Sequence, residues 1–229
     1  MEAHRMTKIF WAGDSTVKDN YIDTYPRTGL AQGLRLYLNS DIEIRNHAEN
    51  ARSTKNFIQE GRLDNINAEI GKGDFLFIEF GHNDWNDDPK RHTEPFYDYK
   101  SNLKQMVQVA WNKEAYPVLI TPLYCRFLDD NGILKEKVHF DYPDAMIKLS
   151  KELLVPCIDL CELSRQLLLN TPLIESKSWF MNLEKGKYNA YPDGITDDAH
   201  LQHNGSVIFA KLIADALKEL GSIYAELVR

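Results

Sequence analysis

Short apolar runs bounded by turn residues alternate with longer stretches of helical spacing along nearly all of the 229 residues. The runs occupy residues 8–12, 42–46, 75–80, 118–121 and 157–160. Residues 29–38, 53–58, 97–111, 142–153 and 207–220 carry the helical spacing, the last stretch ended by Gly221. Parallel strands joined by helices are the arrangement that buries such runs on both faces. The expected fold is therefore α/β: a three-layer α/β/α sandwich, flavodoxin-like, with a central parallel sheet of about five strands and about five helices. No repeat, linker or low-complexity tract divides the chain, so one domain over residues 1–229 is expected. Ligands in such sheets bind in the crevice beyond the carboxyl ends of the strands.

Two stretches break the alternation: residues 81–95, rich in Asp and Asn, and residues from about 170 to 199, which carry Trp179, Tyr188 and Tyr191. Loops this long in a compact domain are functional or hold small elements of their own. Lys and Arg number 27 against 34 Asp and Glu, a net charge of −7 that speaks against a nucleic acid or membrane-surface partner. Cys125, Cys157 and Cys161 form no C-x-x-C pair and read as reduced structural thiols. The N-terminus has no signal-peptide core and no apolar run is long enough to span a membrane, so a cytoplasmic protein is expected. P-loop, Gly-x-Gly-x-x-Gly, His-Glu-x-x-His and Gly-x-Ser-x-Gly spacings do not occur.

The chemistry is concentrated just past the apolar runs. Gly13-Asp14-Ser15-Thr16 follows the first run, Gly81-His82-Asn83-Asp84 follows the third, and Asp197-Asp198-Ala199-His200 precedes the last helix. A serine, an asparagine and an Asp-x-x-His pair on three such loops are the parts of an acyl-transfer site. Serine attacks a carbonyl only when a base takes its proton, and histidine does so near neutral pH. A carboxylate must then fix the imidazole tautomer, and either Asp197 or Asp198 is near enough in sequence to His200. The oxyanion needs donors already in place, for which Asn83, the Ser15 amide and the turn Asn50-Ala51-Arg52-Ser53 are candidates.

These residues, in this order, resemble the SGNH (GDSL-type) hydrolase family, and within it the rhamnogalacturonan acetylesterase-like branch. The likeness rests on Gly-Asp-Ser-Thr at residues 13–16, Tyr25-Pro26-Arg27-Thr28-Gly29, the block at Asn46–Ser53 and Gly-His-Asn-Asp at residues 81–84, and it runs from Ile9 to about Leu220. It implies the SGNH hydrolase fold, Ser15 as nucleophile, His200 as base and Asp197 as its partner, ahead of Asp198. The Ser15 amide, Ala51 and Asn83 are then the oxyanion hole. It also implies an esterase that needs no cofactor and removes acetyl groups from pectin-derived oligosaccharides. A lipolytic enzyme or thioesterase for longer acyl chains, and a non-catalytic carbohydrate-binding protein, are the alternatives.

One position departs from the branch pattern: Ala51 stands where a glycine is usual, which matters if the turn needs a positive φ. Arg52, Trp85, Arg126 and Trp179 are expected to contact the substrate, the arginines through acidic or hydroxyl groups and the tryptophans by stacking on sugar faces. Lys55 and Tyr191 are further candidates of the same kind. His82 is expected to brace its loop and His203 to open the last helix. Although Asp-x-x-His-x-x-His suggests a metal cluster, no metal is expected, because a metal would compete for the imidazole that the triad uses. His4, His47, His92 and His139 show no constellation.

Overall fold

A computed structural model describes residues 6–229. His4 and most of the N-terminal segment used for the cytoplasmic expectation lie outside these residues. Five strands form one parallel sheet: β1 (Thr7–Ala12), β2 (Ile42–Asn46), β3 (Phe75–Glu79), β4 (Tyr116–Ile120) and β5 (Cys157–Ile158), in the order β2-β1-β3-β4-β5. The chain winds outward from β1 to β2, then returns to the other side of β1 at β3. Strand order thus reverses between β1 and β3, the place where sheets of this kind open a ligand crevice.

Alternating strand residues feed two apolar clusters, one on each face. Ile9, Trp11, Phe75 and Phe77 pack with Leu30 and Leu34 of α1 (Leu30–Leu34) and with Phe209, Ile213 and Leu217 of a long helix near the C-terminus. Phe10, Ala12, Leu76 and Ile78 pack against α2 (Thr54–Gln59), α3 (Arg62–Glu69), α4 (Lys100–Asn112) and α5 (Tyr142–Leu153). The C-terminal half adds α6 (Leu160–Leu169), α7 (Leu173–Lys177), α8 (His203–Leu220) and α9 (Ser222–Ala225). The described residues thus hold nine α-helices where about five were expected.

The differences have local causes. Asp159 caps α6, its side chain accepting from the Glu162 N–H at 3.2 Å, so the expected strand at 157–160 stops after two residues and a helix begins. Gly61, at φ +73°, divides α2 from α3. A π turn at Pro95–Tyr99 precedes α4. β4 starts at Tyr116 despite Pro117. The Tyr116 N–H bonds the β3-side carbonyl of Asp74, and those of Leu119 and Thr121 bond Pro156 and Ile158 on the β5 side. Pro117 would therefore donate toward β5 before that strand begins, so its missing N–H costs nothing. α8 opens four residues earlier than expected, and Gly205 in its first turn lets it press on the chain at Trp179. A Cβ there would meet the Trp179 carbonyl at 2.1 Å.

Residues 178–202 fold into small antiparallel pairings, Phe180 with Leu201, Leu183 with Ile195 and Tyr188 with Tyr191. No helix among the described residues is long and apolar enough to cross a membrane.

Candidate active site

Three loops meet at the carboxyl edge of β1 and β3. Beyond β1, the Asp14 carbonyl accepts from the N–H groups of Val17 and Lys18 and turns the chain so that Ser15 stands at its crest. Ser15 Oγ lies 2.8 Å from His200 Nε2, and His200 Nδ1 lies 2.7 Å from Asp197 Oδ2. Asp197 Oδ1 also accepts from the backbone N–H groups of Ala199 (2.8 Å) and His200 (3.0 Å), folding residues 197–200 into a tight turn. Burial raises the Asp197 pKa, but the hydrogen bond and charge of His200 and those two N–H groups outweigh it and hold the value at about 2. Asp197 is therefore ionised across the neutral range, and its acceptor oxygen requires the proton on His200 Nδ1. That leaves the Nε2 lone pair facing the serine hydroxyl.

Asp198 points elsewhere. Its Oδ1 accepts from Arg126 Nη1 at 2.9 Å and Asn182 Nδ2 at 2.8 Å, so of the two aspartates it is Asp197 that faces the His200 ring.

Ser15, His200, Asn83 and Trp85 line one cavity of about 140 Å³, with Phe127 and Val138 among its apolar walls. The Asn83 amide donates to the Arg52 carbonyl at 3.1 Å, which ties the loop after β3 to the loop after β2. In that second loop Ala51 takes φ +60°, the left-handed conformation in which a Cβ is strained. Ala51→Gly is expected to stabilise the protein by about 1 kcal/mol. That corresponds to a rise in Tm of about 2–4 °C in a thermal melt, and an unchanged or lower Tm would show that the turn accommodates the methyl group.

Residues 9–213 match the family model described as GDSL-like Lipase/Acylhydrolase. The chain belongs to this family. Over 214 residues this GDSL hydrolase is 38% identical to the rhamnogalacturonan acetylesterase RhgT of Bacillus subtilis (strain 168), covering 93% of this chain and 90% of that protein. It is also 38% identical over 222 residues to a probable rhamnogalacturonan acetylesterase, YesY, of the same strain, covering 93% of each. Among solved structures, YxiM of Bacillus subtilis has a TM-score of 0.80 at 24% identity, over 94% of this chain and 57% of that one. A catalytic mutant of Axe2, an acetylxylan esterase from Geobacillus stearothermophilus, has a TM-score of 0.65 at 16% identity, over 100% and 99%. These two likenesses are of fold, and they match the α/β sandwich expected from the sequence.

Of the expected substrate contacts, Trp85 alone has its side chain on the wall of the Ser15 cavity; it is 38% exposed, with its ring edge-on to Phe140. Trp179 is a correction: it is 5% exposed and packs edge-on against Phe209 in the core, so its ring has no free face for a sugar. Arg126 is another. It is 5% exposed, and its guanidinium donates to Ser176 Oγ, Asp198 Oδ1 and the Leu173 carbonyl, so it pins α7 to the Asp198 loop. Arg52 bonds Glu60 and the Asn50 carbonyl through its side chain, and Lys55 bonds the Pro89 carbonyl. Both brace loops. His203 is the first residue of α8.

Arg27, within the Tyr25–Gly29 motif, stands beside the site. Its backbone pairs with Gln202, and its Nη2 donates to Asn50 Oδ1 at 3.3 Å, linking the His200 and Ala51 loops.

Beneath Ser15 lies a buried polar network. His82 Nδ1 faces Asp14 Oδ2 at 3.1 Å and His82 Nε2 faces the Leu123 carbonyl at 2.9 Å. Both partners are acceptors, so both ring nitrogens carry protons and His82 is an imidazolium. Burial lowers its pKa, but the charge and hydrogen bond of Asp14 outweigh that and hold it well above the usual histidine value. Asp14 shifts down in turn: burial raises it, and His82 and Thr16 prevail. His139 Nε2 donates to the same Leu123 carbonyl at 2.7 Å, and burial together with the His82 charge pushes its pKa down to about 3.

The sets His82, Cys125, His139 and Asp14, Glu79, His82 bring metal-type ligand atoms within 4.8 Å. The His82 nitrogens and His139 Nε2 are already occupied as donors, so hydrogen bonding accounts for both clusters.

Proposed function

We propose that this protein is a serine esterase that removes O-acetyl groups from carbohydrates, with rhamnogalacturonan-derived oligosaccharides as its substrates. The observation that carries the reading is the chain Ser15 Oγ, His200 Nε2, His200 Nδ1, Asp197 Oδ2, with contacts of 2.8 and 2.7 Å. His200 takes the Ser15 proton as the oxygen attacks the acetyl carbonyl. The oxyanion is received by the backbone N–H groups of Ser15 and Ala51 and by the Asn83 amide. His200 then protonates the departing sugar oxygen, and water, deprotonated by the same imidazole, releases acetate from Ser15.

The size of the cavity supports a short acyl group. About 140 Å³ is well below the roughly 300–1,000 Å³ of pockets that hold drug-sized ligands. The sugar reading comes from RhgT and YesY, whose names specify rhamnogalacturonan acetylesterase. Acetate release is expected to be fastest from acetylated rhamnogalacturonan and slower from acetylated xylan, and acetyl esters of p-nitrophenol are expected to outpace octanoyl esters. A preference for octanoyl would reassign the enzyme to longer acyl chains.

A further inference from the structure

The Ser15 cavity ends on a wall that has a second cavity behind it. Val138 and His139 line the 140 Å³ cavity together with Ser15, and the same two residues line a neighbouring cavity of about 340 Å³. The apolar lining of the second cavity includes Tyr124, Pro143 and Ile147 of α5, and Cys161 of α6. None of these belongs to the triad or the oxyanion hole. Val138 and His139 therefore form a partition: the fold holds room for a longer acyl chain, and one pair of residues closes that room off from the serine.

The partition is held firmly. His139 Nε2 donates to the Leu123 carbonyl at 2.7 Å, and its ring stands edge-on to those of His82 and Tyr124, with centroids 4.5 and 6.3 Å away. Val138 is half-buried and packs on the apolar cluster that contains Leu123 and Tyr124. The backbone on either side is bent, with Lys137 at φ +53° and Phe140 at φ +50°, left-handed conformations that are strained for any residue with a Cβ. Three hydrogen bonds keep this stretch in place. The Lys135 N–H donates to the Phe127 carbonyl at 2.8 Å, the Tyr124 hydroxyl to the Lys135 carbonyl, and the Tyr142 N–H to the His139 carbonyl at 3.2 Å. Strain kept at two positions flanking the wall fixes where the Val138 side chain stands.

We propose that Val138 sets the acyl-length limit of this protein: its side chain, backed by His139, closes the Ser15 cavity at the size of a short acyl group, and its truncation joins the two cavities. The inference rests on the reading of Ser15 as the nucleophile of an esterase, and it names the residue that restricts that esterase to short acyl groups. A hydrophobic wall discriminates by methylenes, each worth roughly 10–200-fold.

Assays with p-nitrophenyl esters test it. Val138→Ala is expected to raise kcat/KM for the hexanoyl ester relative to the acetyl ester by roughly ten-fold or more. Ile147 lines only the second of the two cavities. Ile147→Phe, which fills that cavity, should by itself leave the acyl profile unchanged, and should cancel the gain when combined with Val138→Ala. An unchanged hexanoyl-to-acetyl ratio in Val138→Ala, or a gain that survives Ile147→Phe, overturns the partition.

Failure of the underlying reading looks different. A protein that shows the Val138-dependent shift on p-nitrophenyl esters but releases no acetate from any acetylated sugar loses the carbohydrate reading and keeps the partition. Hexanoate binding reads the partition without turnover: in the Ser15→Ala protein, calorimetric titration should show tighter binding when Val138→Ala is added. Equal binding overturns the proposal. If no ester is hydrolysed at all, the esterase reading fails and hexanoate binding alone decides the partition.

Discussion

Ser15→Ala is expected to lower kcat for acetyl ester hydrolysis about 10⁶-fold, and Asp197→Asn about 10⁴-fold. In the proposed mechanism the first removes the atom that forms the acyl bond, Ser15 Oγ, which lies 2.8 Å from His200 Nε2. The second keeps the shape of the 197–200 turn but removes the carboxylate that requires the proton on Nδ1, so His200 loses the tautomer that leaves Nε2 free to accept. Ser15→Ala combined with His200→Ala should be no slower than Ser15→Ala alone, because the two groups act as one unit. Single-turnover assays with p-nitrophenyl acetate resolve these rates. A Ser15→Ala enzyme retaining about a tenth of the wild-type rate would remove serine from the mechanism.

Why the blocks around Ser15, Asn83 and His200 stand out in the sequence, while much of their setting does not, follows from how far apart the interacting residues lie. Ser15 and Asn83 each follow a strand at the point where strand order reverses, so a pattern of apolar runs is enough to place them. Asp197 and His200 share one turn, a local relation that spacing reveals. Arg126 and Trp179 were expected at the crevice because they stand near strand ends or in a long late segment. What decides their direction is remote: Ser176 and Asp198 for Arg126, Phe209 for Trp179.

α6 was missed although Asp159 and Glu162 carry its capping signal. The apolar run at 157–160 reads equally well as a strand, and only the position of the cap ends it. The positive φ at Ala51 was raised as a condition by the departure from glycine, but a sequence does not state a dihedral angle. The rings of Tyr25 and Tyr188, more than 150 residues apart in the chain, meet edge-on at 5.8 Å. No local pattern announces it.

Below Ser15, His82→Leu is expected to lower the melting temperature at neutral pH by roughly 10 °C. Asp14 is fully buried, and without His82 it keeps only neutral donors, from Thr16 at 2.9 Å and Asn83 at 3.5 Å. Removing one member of a buried ion pair costs about 3–5 kcal/mol, and in a chain of this size each kcal/mol is worth about 2–4 °C. Asp14→Asn with His82→Gln, which removes both charges, should recover much of the loss. A fall below about 2 °C in the single variant would show that the pair is not a buried ion pair.

Glu79 adds a pH signature with a definite sign. Burial and the Asp14 charge raise its pKa from 4.5 to about 8. Thr16 Oγ1, which donates to Asp14 Oδ1 at 2.9 Å, also lies 3.2 Å from Glu79 Oε2. With the folded pKa above the unfolded one, the stabilisation is complete below pH 4.5 and is lost as pH rises through about 8. Glu79→Gln, isosteric with the protonated acid, should match the wild type near pH 5 and melt higher than it near pH 9. Parallel melting curves for the two proteins across that range would mean that Glu79 is already ionised in the fold, and that His82 offsets two buried carboxylates rather than one.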